Sequence, residues 1–534
     1  MGSFFVGMGK NRSTIHGLPL EPLLFFELTF MAIDTCSLEK TTDFTLHLQS
    51  NRPPYLNTYL PGWTNGPTWL DEWAYLVGRM GAPGWTNGED AINSASAFFH
   101  LVLVLTAPFS MLDRKFVLEN AELVKANCLH RGAHADIERF VELERERKTK
   151  LNQAEELNRQ ANATSGKMGG ATPEQRETLK EEGRRLREQK DAVQAEHDML
   201  DKEIAAILSR APNMTHPAAP IGRDDQANLE IARGKTPIPT FDFQPLDHLQ
   251  LGKQHDMIDF ESGARVAGAG FYFLKNDAVL LELALQQLAI HYLIQRGFVP
   301  VSTPDVANTE TLHGIGFIPR GPETQIYSIE NTDLNLVATA EITLGGTYSG
   351  QVLDAEHLPL KLVGISHCFR TEAGAAGRAS KGLYRVHQFT KIEMFAFTLP
   401  NQSDAIHEEL RQLECDLFDQ LEVAYRVVDT ATGDLGGPAY RKYDLEAWMP
   451  GRGTAGEWGE VTSTSNCTDY QARRLNIRYK TKNEKGTHLV HTLNGTAIAI
   501  SRAIIAIMEN HQMADGRIRV PAALRPWMGK EIIG

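Results

Sequence analysis

The sequence predicts an α+β protein in which a long antiparallel two-helix coiled-coil arm precedes a body of strands and helices. Three observations predict it. Leu179, Leu186, Val193, Leu200 and Ile207 stand seven apart, with Ile204 and Ala211 at the intervening positions, as a coiled-coil seam requires. From Asp136 the chain is dense in Glu, Arg, Lys and Gln with no proline before Pro173, which suits a long solvated helix. Past Pro245, short runs set polar groups at i and i+2, the period of a strand, and an apolar helical stretch follows Thr496.

At 534 residues the chain exceeds what one core organises and points to about two to four domains. Hydrophobic residues make up 42% and charged residues 23%, near the globular average, which excludes wholesale disorder, collagen and an integral membrane protein. The net charge of −13 repels nucleic acid over the whole molecule, so an RNA partner must dock on local basic patches. Five scattered cysteines (Cys36, Cys128, Cys368, Cys415, Cys467) form no CxxC pair. That argues against a disulfide framework or a cysteine-rich zinc site and for a reducing, cytoplasmic compartment.

Composition breaks near residue 110. Trp63, Trp69, Trp73 and Trp85 precede the break, and the hexapeptide PGWTNG at 61–66 recurs at 83–88, a duplication too short for a solenoid. The apolar run at 97–109 is too short to span a bilayer, residues 1–17 lack the order of a signal peptide, and Val6 stands where a myristoylation signal needs Ser or Thr. Residues 1–110 are read as a tail, disordered or translated from an over-extended start, with Met111 as the natural beginning. A helical arm follows at 111–220, a proline-marked linker at 221–245 and the body at 246–534.

Gly166, Gly169, Gly170 and Pro173 let the arm reverse, so that Phe140, Leu143, Leu151, Ala154 and Leu157 can pack on the heptad seam. Two helices of roughly 30 residues give an arm on the order of 45 Å long. Charge along it is nearly balanced, but bases cluster at Arg145, Arg147, Lys148 and Lys150 and at Arg184, Arg185 and Arg187, where a phosphate backbone could be held. A dimerisation or spacer coil with a solvated mixed-charge face is the commoner explanation of such a stretch taken alone.

The body carries the chemistry. As a strand, 385–393 would put Arg385, His387, Phe389, Lys391 and Glu393 on one face. Upstream, Arg370 and Glu372 share one side of a second strand, with Gly374, Gly377 and Gly382 loosening the connection, and Thr339 and Glu341 repeat the i, i+2 pattern. The segment from Thr492 leads through Asn494 and Thr496 into the apolar helix with one cation, Arg502, costly to bury unless it meets an anion. Any one run alone reads as a solvated sheet face. Two arginines, several carboxylates and a stackable Phe together suit a reaction on a nucleotide, because the guanidinium fork matches phosphate oxygens and stabilises charge growing on them in a dry site. Phe389 could stack adenine, and Glu460 and Ser463 offer hard oxygens to Mg²⁺. No GxxxxGK[ST] loop is present, which argues against a P-loop NTPase.

From Met111 to its end the chain resembles the class II aminoacyl-tRNA synthetases, and among them the seryl-tRNA synthetases of bacterial type. The resemblance rests on the arm and three motifs in order. Residues 297–304 resemble motif 1, a helix and strand at a dimer interface. Phe369-Arg370-Thr371-Glu372, a loop and 385–393 resemble motif 2, and 495–502 resemble motif 3. The resemblance implies a class II antiparallel β-sheet core flanked by helices behind the arm. It implies activation of L-serine with ATP to seryl-adenylate and transfer to tRNA(Ser), with tRNA(Sec) a further acceptor where present.

By the same resemblance, Arg370 and Arg502 hold the ATP phosphates and carry the catalysis, Arg385 supports the bent triphosphate, Glu372 reads the adenine amino group and Phe389 stacks on the base. Thr371, Val461 and Thr462 belong to the ATP site, and Glu460 and Ser463 hold Mg²⁺ with ATP. Thr339 and Glu341 receive the serine amino group, Ala340 between them belongs to the serine site, Glu393 and Thr496 bind the hydroxyl, and Asn494 supports them. The implied partners are tRNA(Ser) on the arm and a second copy of the chain at motif 1, with neither zinc nor a membrane. Ser501 stands where many class II enzymes carry Glu, a position at which seryl enzymes vary.

Two rival readings remain. Ligases that charge a carrier protein lack the long arm. A catalytically dead scaffold would have lost some of Arg370, Glu372, Phe389, Glu460 and Arg502, yet all are present. Archaeal-type seryl enzymes hold serine with zinc; Thr339-Ala340-Glu341 with Thr496 fits the zinc-free type, and Cys368 and Cys467 read as core residues.

Overall fold

The computed structural model describes residues 112–317, 325–373 and 382–534. The expectations for residues 1–110, and for Met111, Gly374 and Gly377, lie outside them. Two short helices, Arg114–Glu119 and Ala121–His130, lead into the arm. Its first helix, α1 (Ile137–Lys167), starts where the Asp136 side chain accepts from the Arg139 N–H. Its second, α2 (Pro173–Leu208), starts at Thr172, which forms a capping box with Gln175 and is followed by proline, so the start signals are satisfied locally. A single 3₁₀ turn at Met168–Gly170 reverses the chain at the expected glycines. The ion pairs Arg139–Glu203, Arg147–Asp201 and Lys150–Glu196 advance along one helix as they retreat along the other, as in an antiparallel pair.

Of the expected seam, Leu186 and Ile204 are buried and Leu179, Val193, Leu200 and Ile207 half-buried; Phe140, Leu143 and Ala154 of α1 are buried too. The seam stops sooner than the heptad suggests. Helix α2 ends at Leu208, and Ala211 lies beyond it, buried with Val117, Phe140 and Leu208 in a core at the arm's base. Part of the basic clusters is consumed within the arm: Arg147 pairs with Glu144 at 3.0 Å and Lys150 with Glu196, whereas Arg145, Lys148, Arg185 and Arg187 are exposed.

The segment expected as a linker contributes a strand, β1 (Leu229–Arg233), to the main sheet. The body follows as α3 (Asp277–Ile294), β2 (Val299–Ser302), α4 (Ala340–Gly346), β3 (Leu360–Phe369), β4 (Gln388–Thr398), α5 (Ser403–Gln420), β5 (Tyr425–Asp429), β6 (Arg441–Met449), β7 (Glu457–Asn466), β8 (His491–Ala499) and α6 (Ile500–Asn510). Its eight-stranded sheet runs β1-β5-β6-β7-β8-β4-β3-β2 and is antiparallel except between β2 and β3. Helices α3, α5 and α6 bury Leu281, Leu285, Phe418, Ile504 and Ile505 against Ile392 and Met394 of the sheet. Helix α3 is long and apolar enough to cross a membrane by length and composition, but Leu281, Leu285 and Leu288 lie in this core. The central strands β7, β8 and β4 are thereby clamped, and their other polar residues become a rigid platform.

Candidate active site

Strand β4 begins only at Gln388. Phe389, Lys391 and Glu393 alternate onto one face as expected, but Arg385 and His387 precede the strand. The His387 N–H bonds the Gly270 carbonyl, and its own carbonyl accepts the Arg370 N–H, each at 3.0 Å. Strand β3 likewise ends at Phe369, and Glu372 adopts a left-handed backbone with φ 51°, so Arg370 and Glu372 do not share a strand face. Such a conformation costs a non-glycine residue about 1–3 kcal/mol. A tertiary pairing accompanies it: Arg385 Nη1 donates to Glu372 Oε2 at 3.0 Å. The Arg370 guanidinium lies 5.3 Å from the Phe389 ring centroid, a cation–π distance.

Glu460 and Ser463 are three apart, which in a regular strand would turn them to opposite faces. A bulge prevents this. Glu460 pairs with Glu446 and Ser463 with Asp444, while Thr462 pairs with Leu445, leaving Val461 as the extra residue. Both oxygen donors therefore share one face. From α6, Arg502 Nη1 donates to the Glu460 carbonyl at 2.9 Å and lies 3.3 Å from Glu460 Oε1. Burial pushes the Glu460 carboxyl up, but Arg502, Lys442, Arg370 and Arg385 together outweigh it and hold the group below its ordinary range. Four cations thus converge on one partly open carboxylate.

The second cluster forms where α4 meets β4 and β8. Thr339 and Glu341 are not strand neighbours: Thr339 caps α4, its Oγ1 accepting the Glu341 N–H at 3.1 Å. Glu341 Oε1 accepts from Gln471 Nε2 at 2.7 Å and from Asn494 Nδ2 at 2.9 Å. Thr496 stands opposite Glu393 in the sheet, and its hydroxyl donates to Glu393 Oε2 at 3.0 Å. Lys391 Nζ lies 2.6 Å from the same oxygen. Burial and the Glu393 carboxylate push Glu341 up to about 7, against the pull of Lys391 and Arg370. Arg370 therefore acts on both clusters, lowering Glu460 on one side and Glu341 on the other.

Three expected site residues turn inward. Ala340 and Val461 belong to the hydrophobic cores, and the buried Thr462 hydroxyl donates to Glu414 Oε2 at 3.0 Å. Contacts from these three to a ligand would run through the backbone. Cys368 and Cys467 are buried, as core residues are.

Comparison with known proteins bears on this arrangement. Residues 111–215 match the family model of the seryl-tRNA synthetase N-terminal domain, and 326–511 match the tRNA synthetase class II core domain (G, H, P, S and T). The chain is 68% identical over 424 residues to the serine–tRNA ligase of Rhodopirellula baltica, covering 79% of this chain and 99% of that protein. It belongs to the seryl-tRNA synthetase family. The serine–tRNA ligase of Treponema denticola is 54% identical, with 79% of this chain and 100% of that protein covered. Among solved structures, seryl-tRNA synthetase from Pyrococcus horikoshii complexed with ATP superposes with a TM-score of 0.73 at 38% identity, covering 79% of this chain and 99% of that one.

Beside the expected residues, the fold brings in Lys391 from β4, Gln471 from the short helix Tyr470–Arg474 and Tyr384 from the 3₁₀ turn Gly382–Tyr384, which sequence reasoning did not assign to the site. Lys391 was on the polar face of 385–393 and could have been found by its alternation. Gln471 contacts Glu341 across 130 residues of chain and carries no local signal. The Tyr384 ring lies 4.7 Å from the Arg502 guanidinium and its hydroxyl donates to the Glu460 carbonyl at 3.3 Å.

Proposed function

We propose that this chain activates L-serine with ATP, forming seryl-adenylate and pyrophosphate, and transfers the seryl group to a terminal ribose hydroxyl of tRNA(Ser), with tRNA(Sec) a further acceptor. Forming an aminoacyl-tRNA bond with ATP is the activity of the ligase family to which the chain belongs. The observation that carries the residue assignment is Arg370. Its charge acts both on a cluster suited to polyphosphate, Glu460 with Arg502, and on one suited to a small zwitterion with a hydroxyl, Glu341 with Glu393 and Thr496. The reacting α-phosphorus belongs between the two.

Serine's carboxylate is ionised at neutral pH. It attacks the α-phosphorus in line, a new O–P bond forms as the bond to the β-phosphate oxygen breaks, and no general base is needed. Catalysis reduces to alignment and charge stabilisation. In this reading Arg370 and Arg502 grip the phosphates, Arg385 reaches the bent triphosphate, Phe389 stacks on adenine and Glu372 reads its amino group. Thr371 and the backbone of Val461 and Thr462 complete the ATP site. Glu460 and Ser463, hard oxygens on one face with Glu460 held ionised, have the chemistry to hold Mg²⁺ with ATP, where the ion neutralises phosphate charge.

Glu341 and Thr339 take the ammonium group, with Asn494 and Gln471 orienting Glu341. Glu393 and Thr496 take the hydroxyl. Alanine leaves that pair without a partner, and threonine adds a methyl that must be accommodated, so both are rejected. The arm grips tRNA through shape and phosphate contacts, a role suited to the exposed Arg145, Lys148, Arg185 and Arg187. A homodimer through motif 1 is supported by the exposed apolar Val279, Leu280 and Leu283 on α3 and Val299 on β2. A cytoplasmic setting is supported by four buried free cysteines among the described residues.

The deciding experiment is ATP–pyrophosphate exchange. Exchange that depends on serine, and is not supported by alanine or threonine, is expected. Its absence would leave a non-catalytic scaffold as the better reading.

A further inference from the structure

Two turns beyond Arg502, helix α6 carries a buried acid for which the activation chemistry has no use. Glu509 is 1% exposed. Its Oε1 accepts from the His248 N–H at 2.9 Å and lies 2.8 Å from His248 Nδ1, and its Oε2 accepts from the Gly451 N–H at 2.8 Å. On the far side of the ring, His248 Nε2 accepts the Leu383 N–H at 3.2 Å. A backbone N–H can only donate, so Nε2 is the unprotonated nitrogen and Nδ1 carries the proton toward Glu509. Every polar atom of the pair is used, as a buried carboxylate requires.

The pair fastens three separate segments to the helix that bears Arg502: the start of the helix His248–Gln254, the turn between β6 and β7, and the 3₁₀ turn Gly382–Tyr384. Two glycines make the approach possible. Gly382 has φ +64°, and a Cβ there would lie 2.1 Å from His248 Nε2; a Cβ on Gly451 would lie 2.5 Å from the Asp247 Cα. Tyr384 ends the fastened turn, its ring centroid 4.7 Å from the Arg502 guanidinium and 4.4 Å from that of Arg452, and Arg385 follows it directly. The cavity beside the pair holds about 110 Å³, too small for a nucleotide, for which pockets run to roughly 300 Å³ and more. The pair acts through position, not by touching a ligand.

We propose that His248 and Glu509 are positioning residues for adenylate formation: by anchoring the Gly382–Tyr384 turn to α6 they hold Tyr384 against Arg502 and set the spacing of Arg502 and Arg385 around the triphosphate. The inference rests on the ATP assignment above. It is separable from it, because exchange by the unaltered protein tests that assignment and the variants below test only the joint.

The experiment measures exchange kinetics of the full chain with ATP and serine varied separately. Glu509→Gln keeps the size and both His248 contacts but turns an amide N–H₂ toward Gly451. His248→Gln can keep an acceptor for the Leu383 N–H, whereas His248→Asn can keep only a donor toward Glu509. Glu509→Gln and His248→Asn are expected to raise KM for ATP roughly tenfold while KM for serine stays within about twofold, and His248→Gln to recover most of the loss. The proposal is overturned if both KM values rise together, if neither moves, or if Gln and Asn at position 248 behave alike. It is overturned equally if Glu509→Gln and His248→Gln both fail to fold, since the joint would then be a general support of the body.

Discussion

Thr496 and Glu393 face each other across neighbouring strands, the threonine hydroxyl donating to Glu393 Oε2 at 3.0 Å while Lys391 lies 2.6 Å from the same oxygen. Because Lys391 keeps Glu393 paired, Thr496→Val removes one hydroxyl without stranding a buried charge. The expected result is a rise in KM for serine of roughly tenfold and a matching fall in the preference for serine over alanine, with KM for ATP unchanged. Exchange kinetics with each amino acid measure it. Equal loss of the ATP and serine terms would contradict a hydroxyl-reading role.

Glu341 gives serine binding a pH dependence. Burial first, then the Glu393 carboxylate, push it up to about 7. The sign follows from which form binds: the ammonium group of serine needs the carboxylate, which is dominant above that value and protonated below it. KM for serine is therefore expected to rise as pH falls through about 7, approaching tenfold per unit, and to be flat above about pH 8. Glu341→Gln should weaken serine binding at every pH and abolish the slope. KM for ATP over the same range is the control.

Much of this was legible in the chain itself, for stated reasons. The arm announced itself through Leu186 and Ile204 and through the glycines before Thr172, because helix period and capping are local properties. Phe389, Lys391 and Glu393 were placed on one face by alternation, which works wherever a strand is regular. It failed where long-range pairing sets the backbone. Glu372 leaves the extended region where it meets Arg385, and the bulge at Val461 depends on its partner strand. Strand β1 was hidden in a proline-rich segment because an edge strand is defined by the strand it joins. Gln471 reaches Glu341 through tertiary folding alone.

The arm should be separable from activation chemistry. Its tip is a local structure, the end of α1, one 3₁₀ turn and the Thr172 cap of α2. Replacing residues 160–187, the tip with the adjoining helical ends that carry Arg185 and Arg187, with a short Gly-Ser turn leaves the base core of Val117, Phe140, Leu143 and Leu208 untouched. Pyrophosphate exchange is expected to stay near that of the unaltered chain, while aminoacylation of tRNA(Ser) falls at least about tenfold through loss of phosphate contacts. Parallel loss of both activities would show that the tip supports the body instead of the tRNA.

Helix α3 has two apolar sides, and they should respond oppositely to substitution. Leu285 is fully buried in the body's core, whereas Leu283 is 52% exposed beside Val279 and Leu280, each 40% exposed. Leu285→Ala opens a cavity and is expected to cost about 2–5 kcal/mol of stability. Leu283→Glu removes no core contact, so a single chain should keep its thermal midpoint. It places a charge in the strip assigned to the partner copy, where burying an unpaired carboxylate opposes association. Light scattering should then report a shift from dimer to monomer for Leu283→Glu. A dimer of undiminished stability in that variant would move the interface away from α3.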